Sequence, residues 1–178
     1  MDKMRFKESQ KKGDEAEKSF IKIAKNKGFK VTKANSSQNK KEHWDVKIEK
    51  QNTKPFLIDV KSTKSLQRNQ KETGEYIWLE FKGIYGYNGW LKGKATHISF
   101  EQQDGFYNFN REKLHKWAKA KVKPNYKAGQ EFLHSIDKND PDKYLYQPYN
   151  RKDRKSELTV LASFEDMKKD LKYSIWKK

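Results

Sequence analysis

Cysteine is absent from the 178 residues of this chain. That excludes a disulfide framework and zinc-thiolate sites, and it suits a reducing, cytoplasmic setting. No apolar run approaches the length of a membrane span. The opening residues, Met1-Asp2-Lys3-Met4-Arg5-Phe6-Lys7, carry charge with no apolar stretch behind them, so no secretory leader is expected. A strongly amphipathic basic helix with a wide apolar face is also missing, which argues against a membrane surface as partner. Phosphate-cradling loops, a dinucleotide fingerprint and a Ser/His/Asp arrangement do not rise above chance. The four histidines, His43, His97, His115 and His134, show no metal-ligand spacing.

What the chain does have is positive charge. Lys and Arg number 41 against 24 Asp and Glu, a formal charge of +17. Such an excess repels itself in a compact fold, and a polyphosphate partner relieves the strain; the plainer reading is a solvated surface. Hydrophobic residues are only 33%, but 13% are aromatic, which argues for a packed core over disorder. The length fits a single domain, residues 1–178, with a core over 12–120 and a basic elaboration over 121–178.

Apolar periodicity predicts a helix over 14–27, with Ala16, Phe20, Ile23 and Ala24 at helical spacing, Asp14 as N-cap and Gly28 as stop. Strands are expected at 29–32, 43–49, 56–61, 76–82, 95–101, 105–108 and 158–164. A helix is expected at 111–120. Ser163 and Asp166 mark the start of a terminal helix. Residues 33–42 read as a polar loop. The short turn Lys50–Lys54 makes 43–61 a hairpin.

Within this frame, acidic residues collect. Glu17 lies on the inward side of the first helix, at i, i+3 and i+7 with Phe20 and Ala24. It also closes a capping-box-like Asp14-Glu15-Ala16-Glu17, which is its structural alternative. Asp45 opens one hairpin strand. Asp59 and Lys61 share a face of the other. A turn centred on Asn52 pairs positions that sum to 104, which sets Asp45 across from Asp59. A turn centred elsewhere leaves them diagonal. Like charges directly opposed are destabilising unless a cation joins them, and hard oxygen ligands suit Mg²⁺. The acid-x-Lys pattern alone decides little, because it occurs at Asp45, Asp59, Glu80, Asp153, Asp166 and Asp170. Glu80 is a further ligand candidate or, more simply, a partner for a lysine. Gly83, Gly86, Gly89 and Trp90 form an aromatic loop that is either a backbone-contacting element or an ordinary turn with a packed Trp.

Gly13-Asp14-Glu15-Ala16-Glu17-Lys18, Lys27-Gly28-Phe29, Ser36-Ser37, Asp45 and Ile58-Asp59-Val60-Lys61-Ser62-Thr63-Lys64 together resemble the PD-(D/E)XK nuclease superfamily. Over about residues 12–64 their order and spacing are similar to archaeal-type Holliday junction resolvases. The resemblance implies a restriction-endonuclease-like α/β core, a mixed central sheet flanked by helices. It implies Glu17, Asp45 and Asp59 as metal ligands and catalytic acids, Lys61 as the catalytic lysine, and Ser36 or Ser37 near the active site. The cofactor it implies is Mg²⁺, with Mn²⁺ able to substitute. Beyond residue 65 the likeness to resolvases stops, and the loop around Trp90 is more reminiscent of small phage members of the superfamily.

The expected function is therefore Mg²⁺-dependent endonucleolytic cleavage of branched or duplex DNA. Lys64, Arg68, Trp90 and Lys92 are candidate nucleic-acid contacts. A homodimer is the assembly expected if a four-way junction is cut symmetrically. The alternatives are a restriction-, repair- or phage-type nuclease with the same site, or a non-catalytic nucleic-acid-binding protein whose acids are structural.

Overall fold

The computed structural model describes residues 3–63, 73–83, 85–122, 140–151 and 154–178. They form two compact units. Unit 1 is Met1–Ser62, Lys94–Asn110 and Tyr173–Lys178; unit 2 is Thr63–Gly93 and Arg111–Lys172. Both units draw on separated stretches of the chain. The last strand returns to the first unit's sheet, and the segment before it builds the second unit.

In unit 1 the helix α1 (Lys3–Asn26) precedes six strands: β1 (Lys30–Lys33), β2 (Val46–Glu49), β3 (Phe56–Lys61), β5 (His97–Gln102), β6 (Gly105–Asn110) and β9 (Tyr173–Lys177). Their order in the sheet is β1-β2-β3-β5-β6-β9. Only the β3–β5 pair is parallel, so the sheet is mixed, and the chain between these strands makes the long crossover that a parallel pair requires. Sheet and helix together form a restriction-endonuclease-like α/β core.

The helix begins at Lys3, well before Asp14, so Asp14 is interior and not an N-cap. Lys, Glu and Gln in this stretch are good helix formers, and Lys11 pairs with Glu15 at 4.0 Å. The stop at Gly28 is as expected. Its φ of +80° is one that glycine adopts without strain. Phe29 N–H bonds back to the Ala24 carbonyl at 3.1 Å and Gly28 N–H to that of Lys25 at 2.9 Å, which satisfies two terminal carbonyls.

Ala16, Phe20 and Ala24 form the buried stripe of α1 against Val46, Ile48, Ile58, Val60 and Phe106. Phe20 meets the Phe106 ring edge-on at 5.4 Å and stacks on Trp176 at 5.1 Å. Trp176 belongs to β9, which the periodicity did not predict. Its five residues are mostly exposed, and its partner strand β6 lies far away in sequence.

Unit 2 contains the antiparallel sheet β4-β8-β7, formed by β4 (Tyr76–Lys82), β7 (Pro148–Arg151) and β8 (Arg154–Ser163). With it go α2 (Arg111–Lys121) and α3 (Phe164–Asp170). Ser163 caps α3 as expected, its hydroxyl accepting from Asp166 N–H at 3.2 Å. In the tyrosine-rich stretch, Tyr146 packs edge-on against Trp117 at 5.9 Å. Among the described residues, no helix is long and apolar enough to cross a membrane.

Candidate active site

Strand register decides whether the two central acids meet. Val46 pairs with Ile58, Lys47 with Leu57 and Ile48 with Phe56, the register of a turn centred on Asn52. Asn52 itself takes the left-handed conformation, with φ of 61°. Asp45 sits one residue before β2 and continues this pairing through its backbone, donating N–H to the Ile58 carbonyl at 2.8 Å. Its Oδ2 accepts from Val60 N–H at 2.7 Å. The carboxyl of Asp45 is thereby turned toward β3, where Asp59 projects.

Asp59 is 3% exposed. Lys61, two residues on and on the same strand face, places its Nζ 2.8 Å from Asp59 Oδ1. Burial pushes the Asp45 carboxyl up to about 6, and the neighbouring charge of Asp59 adds to the rise. Lys61 and the Val60 N–H oppose it without cancelling it. Asp45, Asp59 and Lys61 are thus one interacting group of a half-buried acid, a buried acid and one cation.

Glu17 stands differently. It flanks the buried stripe of α1 with its side chain 17% exposed, and its Oε1 lies 2.6 Å from the Nζ of Lys33 on β1. The capping role does not apply, since the helix starts eleven residues earlier than Asp14. The lysine is held protonated above its ordinary range, chiefly by the hydrogen bond to Glu17; burial opposes this, and the charges of Glu17, Asp14 and Asp45 reinforce it. Lys33 therefore lies in the field of both Glu17 and Asp45. Among the described residues, no three acidic or histidine side chains are grouped as a ready-made metal cage.

The region read as a polar loop contains a helical turn, Gln38–Glu42. Asn35 and Gln38 cap it reciprocally, each side chain accepting from the other's backbone N–H at 2.9 and 3.0 Å. Ser36 and Ser37 open this turn with exposed side chains. The residue that reaches the acids is Asn39, whose Nδ2 donates to Asp45 Oδ1. Sequence reasoning missed Asn39 and Lys33. Their only signal was proximity in the chain to the acids, which a lysine-rich polar segment cannot distinguish.

The remaining candidates fall elsewhere. Glu80 lies on β4 in unit 2. Trp90 is 6% exposed, so its ring packs inside unit 2 and offers no free face for a base. Lys92 is exposed on the short turn Trp90–Lys92. Lys64 and Arg68 lie outside the described residues.

A family model described as "Protein NO VEIN, C-terminal" matches residues 16–85. The domain it describes is reported to be nuclease-like, with a restriction-endonuclease-like character. The matched span takes in Glu17, Asp45, Asp59 and Lys61 together with Lys33 and Asn39, but less than half of the chain. The similarity is to a nuclease-like domain in general and does not reach the narrower resolvase class. Comparison with curated proteins and with solved structures gave no match.

Proposed function

We propose that this protein is a metal-dependent endonuclease acting on DNA. The observation that carries the reading is the meeting of Asp45, half-buried, and Asp59, buried, with Lys61 at 2.8 Å from Asp59. Two acids placed so that one holds the other's proton on to about pH 6 form a poor structural pair. They form a good hard-oxygen donor set for a small dication, which relieves the repulsion. Glu17 joins them when Lys33 lets go of it.

A bound Mg²⁺ would supply a water acidified toward neutral pH and would polarise the scissile phosphate. The chain's own residues do the rest. Val60 N–H and Asn39 each hold one Asp45 oxygen, which fixes the carboxylate plane and leaves lone pairs on both oxygens. Lys61, already a hydrogen-bond donor to Asp59, is placed to orient the attacking water and to stabilise the charge that develops on the phosphate. The excess of lysine and arginine binds backbone phosphates, so affinity should fall steeply with salt. Selectivity for branched DNA rests on the resolvase resemblance and is the finer part of the proposal.

The alternative is a DNA-binding protein without catalysis, and the Glu17–Lys33 pair favours it, because that pair leaves only two acids together. Plasmid, single-stranded, duplex and four-way-junction DNA, each incubated with Mg²⁺ or Mn²⁺ and with chelator, separates the two. Metal-dependent nicking is expected, and faster cutting of the junction would support structure selectivity. No cleavage of any substrate with either metal would leave the binding protein.

A further inference from the structure

The loop that follows β4 in unit 2 holds two aromatic rings in solvent. Tyr85 is 82% exposed and Tyr87 77%, whereas Trp90, close by in the chain, is 6% exposed. The aromatic loop read from the sequence thus divides: its tryptophan is packed and its tyrosines are not.

Backbone geometry fixes the tyrosines where they are. Lys82 and Asn88 face each other as an antiparallel bridge. Inside that bridge Gly83 N–H donates to the Tyr87 carbonyl at 2.9 Å, and Gly86 N–H to the Gly83 carbonyl at 2.9 Å, so the chain reverses in a tight turn. Gly86 takes φ of +78°, which glycine adopts without strain. At the foot of the turn Gly89 N–H donates to the Phe81 carbonyl at 3.0 Å, and a Cβ on Gly89 would meet the Glu80 carbonyl oxygen at 2.4 Å. Glycine is what lets the returning chain lie this close to β4. The two rings are therefore carried on a turn tied at its tip and at its base.

Rings held in water offer apolar faces to a partner, and a tyrosine gives up little side-chain freedom when one covers it. Charge narrows the choice. From Phe81 to Gly93 the chain carries Lys82 and Lys92, both exposed, and no acidic residue. The Glu80 carboxylate stays at the base, its Oε1 3.8 Å from where a Cβ on Gly83 would stand. The ligand must then bring planar faces and negative charge together. Single-stranded DNA does so, with a base and a phosphate at every step. A paired duplex does not, because its base faces are already stacked on one another. An acidic protein segment would satisfy the lysines but supplies no regular run of planar faces.

We propose that the turn 83–89 is a stacking platform for unpaired DNA bases, with Tyr85 and Tyr87 against base faces and Lys82 and Lys92 on the flanking phosphates. It gives the protein a preference for bulges, flaps and single strands that is set in unit 2, apart from the acidic residues of unit 1. The proposal rests on the DNA reading above and names the DNA feature that is recognised.

The test follows binding by fluorescence anisotropy with chelator present, so that cleavage plays no part. The probes are a thymidine strand carrying one 2-aminopurine, a fully paired duplex, and the same duplex with a bulge. Tyr85→Ala with Tyr87→Ala is expected to weaken binding of the strand and of the bulged duplex by roughly tenfold or more, and of the paired duplex by less than about twofold, at unchanged melting temperature. Tyr85→Phe with Tyr87→Phe keeps the rings and should keep the affinity. At saturating protein the 2-aminopurine should be quenched by wild type and stay bright with the alanine variant. Undiminished strand binding by the alanine variant overturns the proposal and leaves the tyrosines to a protein partner. An equal loss on the paired duplex, or a phenylalanine variant as weak as the alanine one, overturns it as well. Metal-dependent cleavage alongside undiminished strand binding in the alanine variant would count against the platform alone. Tyrosine-dependent strand binding in a protein that cuts no DNA with Mg²⁺ or Mn²⁺ would count against the nuclease reading alone.

Discussion

The acid-x-Lys pattern occurs in both units, and comparing its copies shows what gives it meaning. In unit 1, Asp59 and Lys61 stand on a strand, where positions two apart share a face, and they touch at 2.8 Å. In unit 2, Asp170 ends the helix α3, and Lys172 lies beyond it. Asp170 instead pairs with Lys121 at 2.8 Å and accepts from the Trp117 indole at 2.9 Å. Asp166 is used by the Ser163 cap and the Tyr146 hydroxyl, while Lys168 pairs with Glu165. Glu80 and Lys82 do lie on a strand, but the bulge at Phe81 falls between them. Lys47 turns to Glu49 at 3.2 Å. Asp153 lies outside the described residues.

Electrostatics draw the same line. Lys121 and Trp117 hold the Asp170 carboxyl below its ordinary range, whereas burial and Asp59 raise Asp45 to about 6. An acid surrounded by donors is structural. An acid buried beside another acid is destabilised, and such sites are candidates for function.

The sharpest break in this comparison is a pair of substitutions. Asp59→Ala is expected to lower metal-dependent cleavage by roughly a thousandfold with DNA binding intact. Asp170→Asn should leave the cleavage rate alone and lower the melting temperature. Equal rates for Asp59→Ala and wild type in a gel assay would end the active-site assignment. Lys61→Ala should cost about a hundredfold in rate, with the Kd for DNA little changed; a loss of binding in place of rate would make Lys61 a phosphate contact only.

The raised Asp45 carboxyl carries a pH signature with a definite sign. Unfolded, the group titrates near 3.8; folded, near 6. Below both values it contributes nothing. Between them only the folded chain keeps the proton, so stability falls as pH rises, and above 6 the full penalty, on the order of 3 kcal/mol, is present. Asp59→Asn removes part of the cause. Its melting temperature relative to wild type, without divalent metal, should therefore be more favourable at about pH 7.5 than at about pH 4.5. A relative melting temperature independent of pH would mean that the two carboxyls do not interact.

Smaller effects remain. Ser163→Ala should cost about 1 kcal/mol in denaturant unfolding, through the lost cap, and leave cleavage untouched. Lys33→Gln frees Glu17 from a partly exposed ion pair worth under about 1 kcal/mol, so the Mg²⁺ concentration for half-maximal cleavage should drop by no more than about fivefold. A rise would mean that Lys33 assists the site and does not compete with the metal.

Local chemistry was legible in the chain before folding. The stop at Gly28, the cap at Ser163, the alternation of 56–61 and the turn at Asn52 each depend on neighbours a few residues apart. A turn centred on Asn52 gives the hairpin register, so the approach of Asp45 to Asp59 was one of two alternatives open in the sequence, and the observed pairing selects it. The distant pairings were not legible at all. Nothing around Tyr173–Lys177 announces that it docks on Gly105–Phe109 and supplies Trp176 to the core. Nor does the polar run after Lys33 reveal that Asn39 will hold Asp45.

Sequence alone thus named the two acids and the lysine as candidates and put Asp59 and Lys61 on one strand face, because strand alternation is local; the register that brings Asp45 to Asp59 was one of two it allowed. Only the tertiary structure decided that Glu17 is held by Lys33, that the chain folds as two interleaved units, and that Trp90 is packed while Tyr85 and Tyr87 are exposed. Those outcomes depend on contacts between segments far apart in sequence, and no local pattern encodes such contacts.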